Sequence, residues 1–303
     1  MTPVRRCAIP VLMAALALAS TGCGSKSSDR NLTGPRPAAA GDEGQATAMA
    51  VAPGLGAAGS FAVLGASTVT NTGATTVNGD LGISPGAACT GFPAPCTGGG
   101  PGVVTGTIHA GDATSLAAQG SATTAYNALA SQACNINLTG TDLGGLTLTP
   151  GVYCFSSSAQ LTGTLTLNGL GNPGSVWVFQ IGSTITTASG SRVAFINGGQ
   201  ACGTFWQVGS SATLGTNTAF SGNIIALASD TLNTGATNAG AVFARTGAVT
   251  LDTNTVSVVG SCGSGPQPSP TPLPGPVPAL PHGAGWALLV VLLGSGAYIL
   301  SRR

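Results

Sequence analysis

Between Leu55 and Cys262 the residues that could do acid, base or nucleophilic chemistry are few and scattered. The acids are Asp80, Asp112, Asp142, Asp230 and Asp252, the bases are Arg192 and Arg245, and His109 is the single histidine. That stretch holds neither Lys nor Glu. Hydrolysis of a sugar bond needs paired carboxylates, and a lyase needs a base beside acids. Here Asp112 follows Gly111 as a helix N-cap, while Asp80 and Asp252 fall in the turn sequences Asn-Gly-Asp and Leu-Asp-Thr-Asn. No Gly-x-Ser-x-Gly stands on a strand-to-helix turn with a partnering His, and Trp177 and Trp206 lie in strand-like runs that suit a core. No Cys-x-x-Cys pair accompanies the lone histidine, so neither a metal site nor a cofactor is expected. Without clustered Lys and Arg, nucleic acid is excluded as a partner. The expected protein is not an enzyme.

What the chain has in quantity is Thr at alternate positions: Thr68 and Thr70, Thr147 and Thr149, Thr164 and Thr166, Thr184 and Thr186, Thr216 and Thr218, Thr253 and Thr255. On a strand, residues i and i+2 share a face about 6.6 Å apart, and the neighbouring strand lies about 4.8 Å away. Alternating Thr can therefore build a lattice of hydroxyl and methyl groups. Thr is also a good strand former, and any exported β-protein poor in charge places Thr, Ser and Asn outwards. Charged residues make up only 6% of the 303, whereas solubility alone would be served by Lys and Glu, which favours a functional reading of the hydroxyl face.

The elements that must position these residues are short strands. From Leu143 to Thr187 apolar and small hydroxyl residues alternate in runs closed by Gly, Asn or Pro. Leu146 and Leu148 point away from Thr147 and Thr149, and Leu165 and Leu167 away from Thr164, Thr166 and Asn168. Similar runs follow at Thr204 to Val208, Ser221 to Leu227, Ala239 to Ala244 and Val249 to Val259, the pattern of an all-β solenoid whose coils stack into a β-helix. One segment differs. After Asp112, residues Ala118, Ala122, Ala125, Leu129 and Ala133 recur three or four apart, which predicts one helix lasting to about Ala133 with a small apolar face. The sequence Asn-Thr-Gly-Ala-Thr occurs at Asn71 and again at Asn233, suggesting equivalent corners of two coils.

The succession GDLGISPGAA at 79 to 88, GGLTLTPGVY at 144 to 153, VWVFQI at 176 to 181, FWQVG at 205 to 209 and AVTLDTNTV at 248 to 256 resembles the microbial ice-binding proteins. The resemblance covers roughly Leu55 to Cys262. It implies a right-handed parallel β-helix with one long α-helix packed alongside, and an ice crystal surface as partner. The corners Thr72 to Thr75 and Thr234 to Thr237 resemble a motif on the ice-binding face of some members. Thr72, Thr75, Thr216, Thr218, Thr234, Thr237, Thr253 and Thr255 are thus the expected ice contacts, on a monomer. The competing reading is a non-catalytic adhesion or structural module that uses the same scaffold to bind glycan, extracellular matrix or cells.

The ends carry export signals. Residues 1–23 read as a signal peptide, with Arg5 and Arg6 before an apolar run, and Ser20-Thr21-Gly22-Cys23 resembles a lipobox that would lipidate Cys23; plain cleavage near Gly22 is the alternative. Residues 24–53 read as a flexible tether and 54–262 as the β-helix domain. The span 263–281 is a proline-rich spacer. Within 282–303, an apolar stretch before Ser301, Arg302 and Arg303 is just long enough to span a bilayer, as a membrane anchor or as a surface-sorting tail. The expected location is the cell envelope, facing outwards. Six cysteines in the domain fit an exported chain and allow fifteen pairings. From their places in the chain we expect Cys89 with Cys96, Cys134 with Cys154, and Cys202 with Cys262.

Overall fold

The structure, a computed structural model, describes residues 49–260 together with Cys262. The expected signal peptide with Cys23, most of the tether, the proline-rich spacer and the apolar C-terminal segment lie outside the described residues. Among the described residues no helix is long and apolar enough to cross a membrane.

The short alternating runs form three parallel sheets of nine, seven and eight strands, which are the three faces of a β-helix. Each full coil contributes one strand to each face in turn, as in Phe61–Gly65, Thr68–Asn71 and Thr76–Asn78. Alternation places one set of side chains inside, where Val69, Val77, Leu81, Leu165, Leu167, Leu214 and Leu251 are wholly buried in one continuous core. Aromatic side chains stack through that core. Phe179 lies over Trp206 with ring centroids 3.9 Å apart, and both rings are fully buried, so neither Trp206 nor the equally buried Trp177 offers a sugar platform.

Stacking order does not follow chain order. The strands of Val242–Ala244, Val249–Leu251 and Thr255–Ser257 end the climb of the later coils. They pair directly with the first coil through Val63 to Val242, Thr70 to Thr250 and Val77 to Val256. The chain therefore begins mid-stack, builds to Ile108–Ala110 at one end, and must return to the other end before Ile136–Asn137. Helix α1, Ala113–Ala130, makes that return. Its 18 residues span about 27 Å, between five and six coil spacings of about 4.8 Å.

Asp112 caps α1, its carboxylate accepting the Ser115 N–H at 2.8 Å and facing His109 Nδ1 at 2.7 Å. The backbone donor at Ser115, then the His109 contact, hold this carboxyl below its ordinary pKa. Ala118, Ala122, Ala125 and Leu129 are buried against the outward residues Leu64, Val152, Val178, Phe205, Ile225 and Phe243 of the first face. That face is covered on both sides, which is why its strands read as largely apolar runs such as Phe61–Gly65. At the far end Gln180 donates to the Leu129 and Gln132 carbonyls, closing the helix C-terminus. Asp112→Ala is expected to cost about 1 kcal/mol in a denaturant titration, the usual worth of an N-cap.

The described cysteines are bonded as Cys89–Cys96, Cys134–Cys154 and Cys202–Cys262. The last closes a loop of 60 residues and fastens the end of the final coil to a turn two coils away. Replacing Cys202 and Cys262 by Ser should lower stability by about 4 kcal/mol on the chain-entropy account, read as a falling unfolding midpoint.

Candidate functional site

Of the three faces, the first is buried under α1. The third is uneven: its outward column runs Thr164, Arg192, Ala219, Thr237, Thr255, Thr76 and Val103, interrupting the hydroxyls with a guanidinium and apolar groups. The second face is different. There every strand contributes an outward residue to one column, and strand pairing sets these in register as Gln160, Thr186, Thr213, Thr231, Thr250, Thr70 and Thr90. Six threonines thus form a single ladder, one per coil, and an isolated bridge from Thr90 adds Thr97 beyond it.

The six ladder side chains from Thr186 to Thr90 are exposed or half-buried. None of their hydroxyls has a hydrogen-bond partner among the described residues, so all six are left to solvent. The flanking column, two residues earlier on each strand, holds Ser158, Thr184, Ser211, Ser229, Ala248, Thr68 and Ala88. Several of its hydroxyls are spent within the protein: Ser211 Oγ accepts from Ser229 N–H at 3.3 Å, Ser229 Oγ from Ala248 N–H at 3.2 Å, and Thr184 donates to Ser158 at 2.9 Å. They tie one coil to the next beside the free ladder.

The ladder is held stiffly. Each Thr is branched at Cβ, which restricts its rotamer, and each is flanked in sequence by inward residues, such as Val249 and Leu251 around Thr250. The result is a regular array of methyl and hydroxyl groups, one rung per coil, fixed before any ligand arrives.

One inward neighbour is anomalous. Asp230, directly before Thr231, is completely buried between Ala212 and Val249, and neither carboxylate oxygen has a hydrogen-bond partner. Burial raises its pKa well above the carboxylate range.

The eight threonines expected from sequence do not form one surface. Thr72, Thr216, Thr234 and Thr253 lie exposed at the corner between the second and third faces, and Thr237 and Thr255 lie on the third face. Thr75 and Thr218 correct the expectation, being 0% and 1% exposed. Thr75 Oγ1 accepts from Asn254 N–H, and Thr218 shares a hydrogen bond with Thr187. The cause is register. The two Asn-Thr-Gly-Ala-Thr segments turn the same corner but are offset by one residue, since Asn71 aligns through Leu251 with Leu232 rather than Asn233. Thr237 then pairs through Thr255 with Thr76, and Thr75 falls at the inward position that Ala236 and Asn254 occupy in their coils. A one-residue slip exchanges the two faces of a strand.

Asp252 stands at the same corner, accepting hydrogen bonds from Thr234 and from Thr253. Those two hydroxyls, Thr234 first, hold its carboxyl below the ordinary pKa. Among the described residues no three of His, Cys, Asp and Glu are grouped to hold a metal.

Sequence reasoning found Thr70 and Thr186 as members of alternating pairs but missed Thr90, Thr213, Thr231 and Thr250. For three of them a signal was available: Thr213, Thr231 and Thr250 are each the centre of a three-residue strand, Ala-Thr-Leu, Asp-Thr-Leu and Val-Thr-Leu, repeated once per coil, whereas Thr90 ends its strand Ala-Cys-Thr.

Comparison with known proteins agrees with this architecture. The chain is 56% identical to an ice-binding protein of Nostoc sp. (strain HG1) over 214 residues, which is 70% of this chain and 76% of that protein. It superposes with a TM-score of 0.66 and 45% identity on an ice-binding protein from an Antarctic biological consortium, over 70% of this chain and 93% of that one. The match to a solved ice-binding protein of the Antarctic ascomycete Antarctomyces psychrotrophicus has a TM-score of 0.65 and 43% identity, over 70% of this chain and the whole of that one. The Ice-binding-like family model matches residues 63–257, and the chain belongs to that family.

Proposed function

We propose that the protein binds ice, and that it does so through the second face, with Thr186, Thr213, Thr231, Thr250, Thr70 and Thr90 as the central contacts. The observation that carries this reading is the ladder itself: six in-register threonines whose hydroxyls are free, on a face that α1 leaves open and with no charged side chain between the first threonine and the last, Asp142 standing in the column only beyond Gln160. Ice presents a flat, repeating array of water. A matching protein surface needs equal flatness, hydroxyls that can join ordered water, and methyl groups that exclude the rest. Because the threonines are fixed in advance, little side-chain entropy is lost on contact. No step of chemistry is required, and the role is non-catalytic.

The export signals read from the two ends support display of this domain at the cell envelope, where it would attach a cell to ice or shape ice near it. The test uses residues 49–262 with their three disulfides oxidised. The whole core and all three bonds lie within that span, and a solved relative is matched over its entire length by this unit alone. Faceted ice crystals and a gap between melting and freezing points are the expected result. Round, unshaped crystals from the folded protein would overturn the reading.

A further inference from the structure

The two ends of the domain meet on one edge. Chain passes from the third face to the first through turns that include Asn172, Val176 and Gly203, and these turns, with Asn223 at the start of a first-face strand, form the floor of a groove of about 710 Å³. One wall is the N-terminal segment Met49–Gly56, and the other contains Val259, Gly260 and Cys262. Both segments are fastened. Val51 exchanges two hydrogen bonds with the Gln132 side chain just beyond α1, its N–H donating at 2.9 Å and its carbonyl accepting at 2.7 Å. Cys262 is bonded to Cys202, in the turn that leads into Thr204–Val208.

In a coil of three faces, the edge between the third and first lies opposite the second. We propose that this is the attachment edge of the domain, so that both connections leave on the side opposite the threonine face and neither obstructs its contact with a flat partner. The proposal rests on the second face being the ice-contact face. It adds that the fold itself keeps that face clear of the connection, whichever end bears it. Two fastenings at one edge matter because a tethered domain engages a flat partner only if geometry lets the tether and the contact be satisfied together. A tether leaving from the second face, or from its corner at Thr72, would hold the ladder against the cell.

The test fuses a folded fluorescent protein before residue 49, or after residue 262, and in a third sample couples the same protein to a cysteine in Thr231→Cys. Uptake of each into a growing ice hemisphere is compared with that of the unfused domain carrying a small dye. Both terminal fusions should be taken up like the unfused domain, and the Thr231 conjugate should be excluded. Exclusion of either terminal fusion, while the unfused domain is taken up, overturns the attachment edge. If the unfused domain is excluded, the ice reading fails instead, and orientation is then decided without ice. In that case the domain is held on beads through its C-terminal end, with biotin at residue 231. Full streptavidin capture by that biotin supports an unobstructed face, and blocked capture overturns it.

Discussion

Thr231→Tyr should abolish ice shaping and lower the freezing gap about tenfold or more, a loss of ~1.4 kcal/mol or greater in adsorption. Thr231 is in register with Thr213 on one side and Thr250 on the other, near the middle of the ladder. A phenol there stands proud of the plane formed by its neighbours, so a rigid flat partner is lifted from several rungs at once. The damage is therefore larger than the loss of one hydroxyl. The side chain points outwards, so the fold should be nearly indifferent, with a stability change within about 0.5 kcal/mol. Thr237→Tyr is the matched comparison: the same exchange on the third face, next to Ala219 and Thr255, should leave ice shaping intact. If Thr237→Tyr removes activity and Thr231→Tyr keeps it, the contact face has been assigned to the wrong side of the corner.

The second large effect is on stability, and its sign is opposite. Asp230→Val is expected to stabilise the protein. A buried carboxyl with both oxygens unpartnered costs about 1–3 kcal/mol, and Val fills a similar volume at a position whose register neighbours are Ala212 and Val249. For a domain of this size, each kcal/mol corresponds to roughly 2–4 °C in the melting temperature.

The effect must also depend on pH. Burial raises the folded-state pKa of Asp230 far above the unfolded value of about 3.9, so the folded protein holds a proton that the unfolded chain releases. This group lowers stability progressively as pH rises from about 4 through the raised folded pKa, and the loss is recovered on acidification. The melting temperature of Asp230→Val should exceed that of the parent by more at pH 8 than at pH 4. A gap of the same size at both pH values, or a less stable variant, would show that Asp230 is satisfied within the core.

Much of the protein follows from local sequence. Period-two alternation set by Leu165, Leu167 and the threonines between them predicts strands, and those side chains are buried as alternation requires. The spacing of Ala118, Ala122, Ala125 and Leu129 behind Asp112 predicts α1, and these are the residues that α1 buries. Local rules suffice because each depends on residues a few positions apart. The order of blocks from GDLGISPGAA to AVTLDTNTV carries the family.

The functional face is another matter. Thr70 and Thr250 are neighbours only because the last coil docks on the first, and nothing in the residues around either announces that pairing. Thr75 and Thr237 sit in identical five-residue segments, yet one is buried and the other exposed, because the register between coils differs by one residue. Sequence by itself determined the strands, the helix and the scarcity of groups able to do acid or base chemistry. Only the tertiary structure decided which threonines share a plane, because register is fixed by hydrogen bonds between coils that can lie 180 residues apart, as Thr70 and Thr250 do.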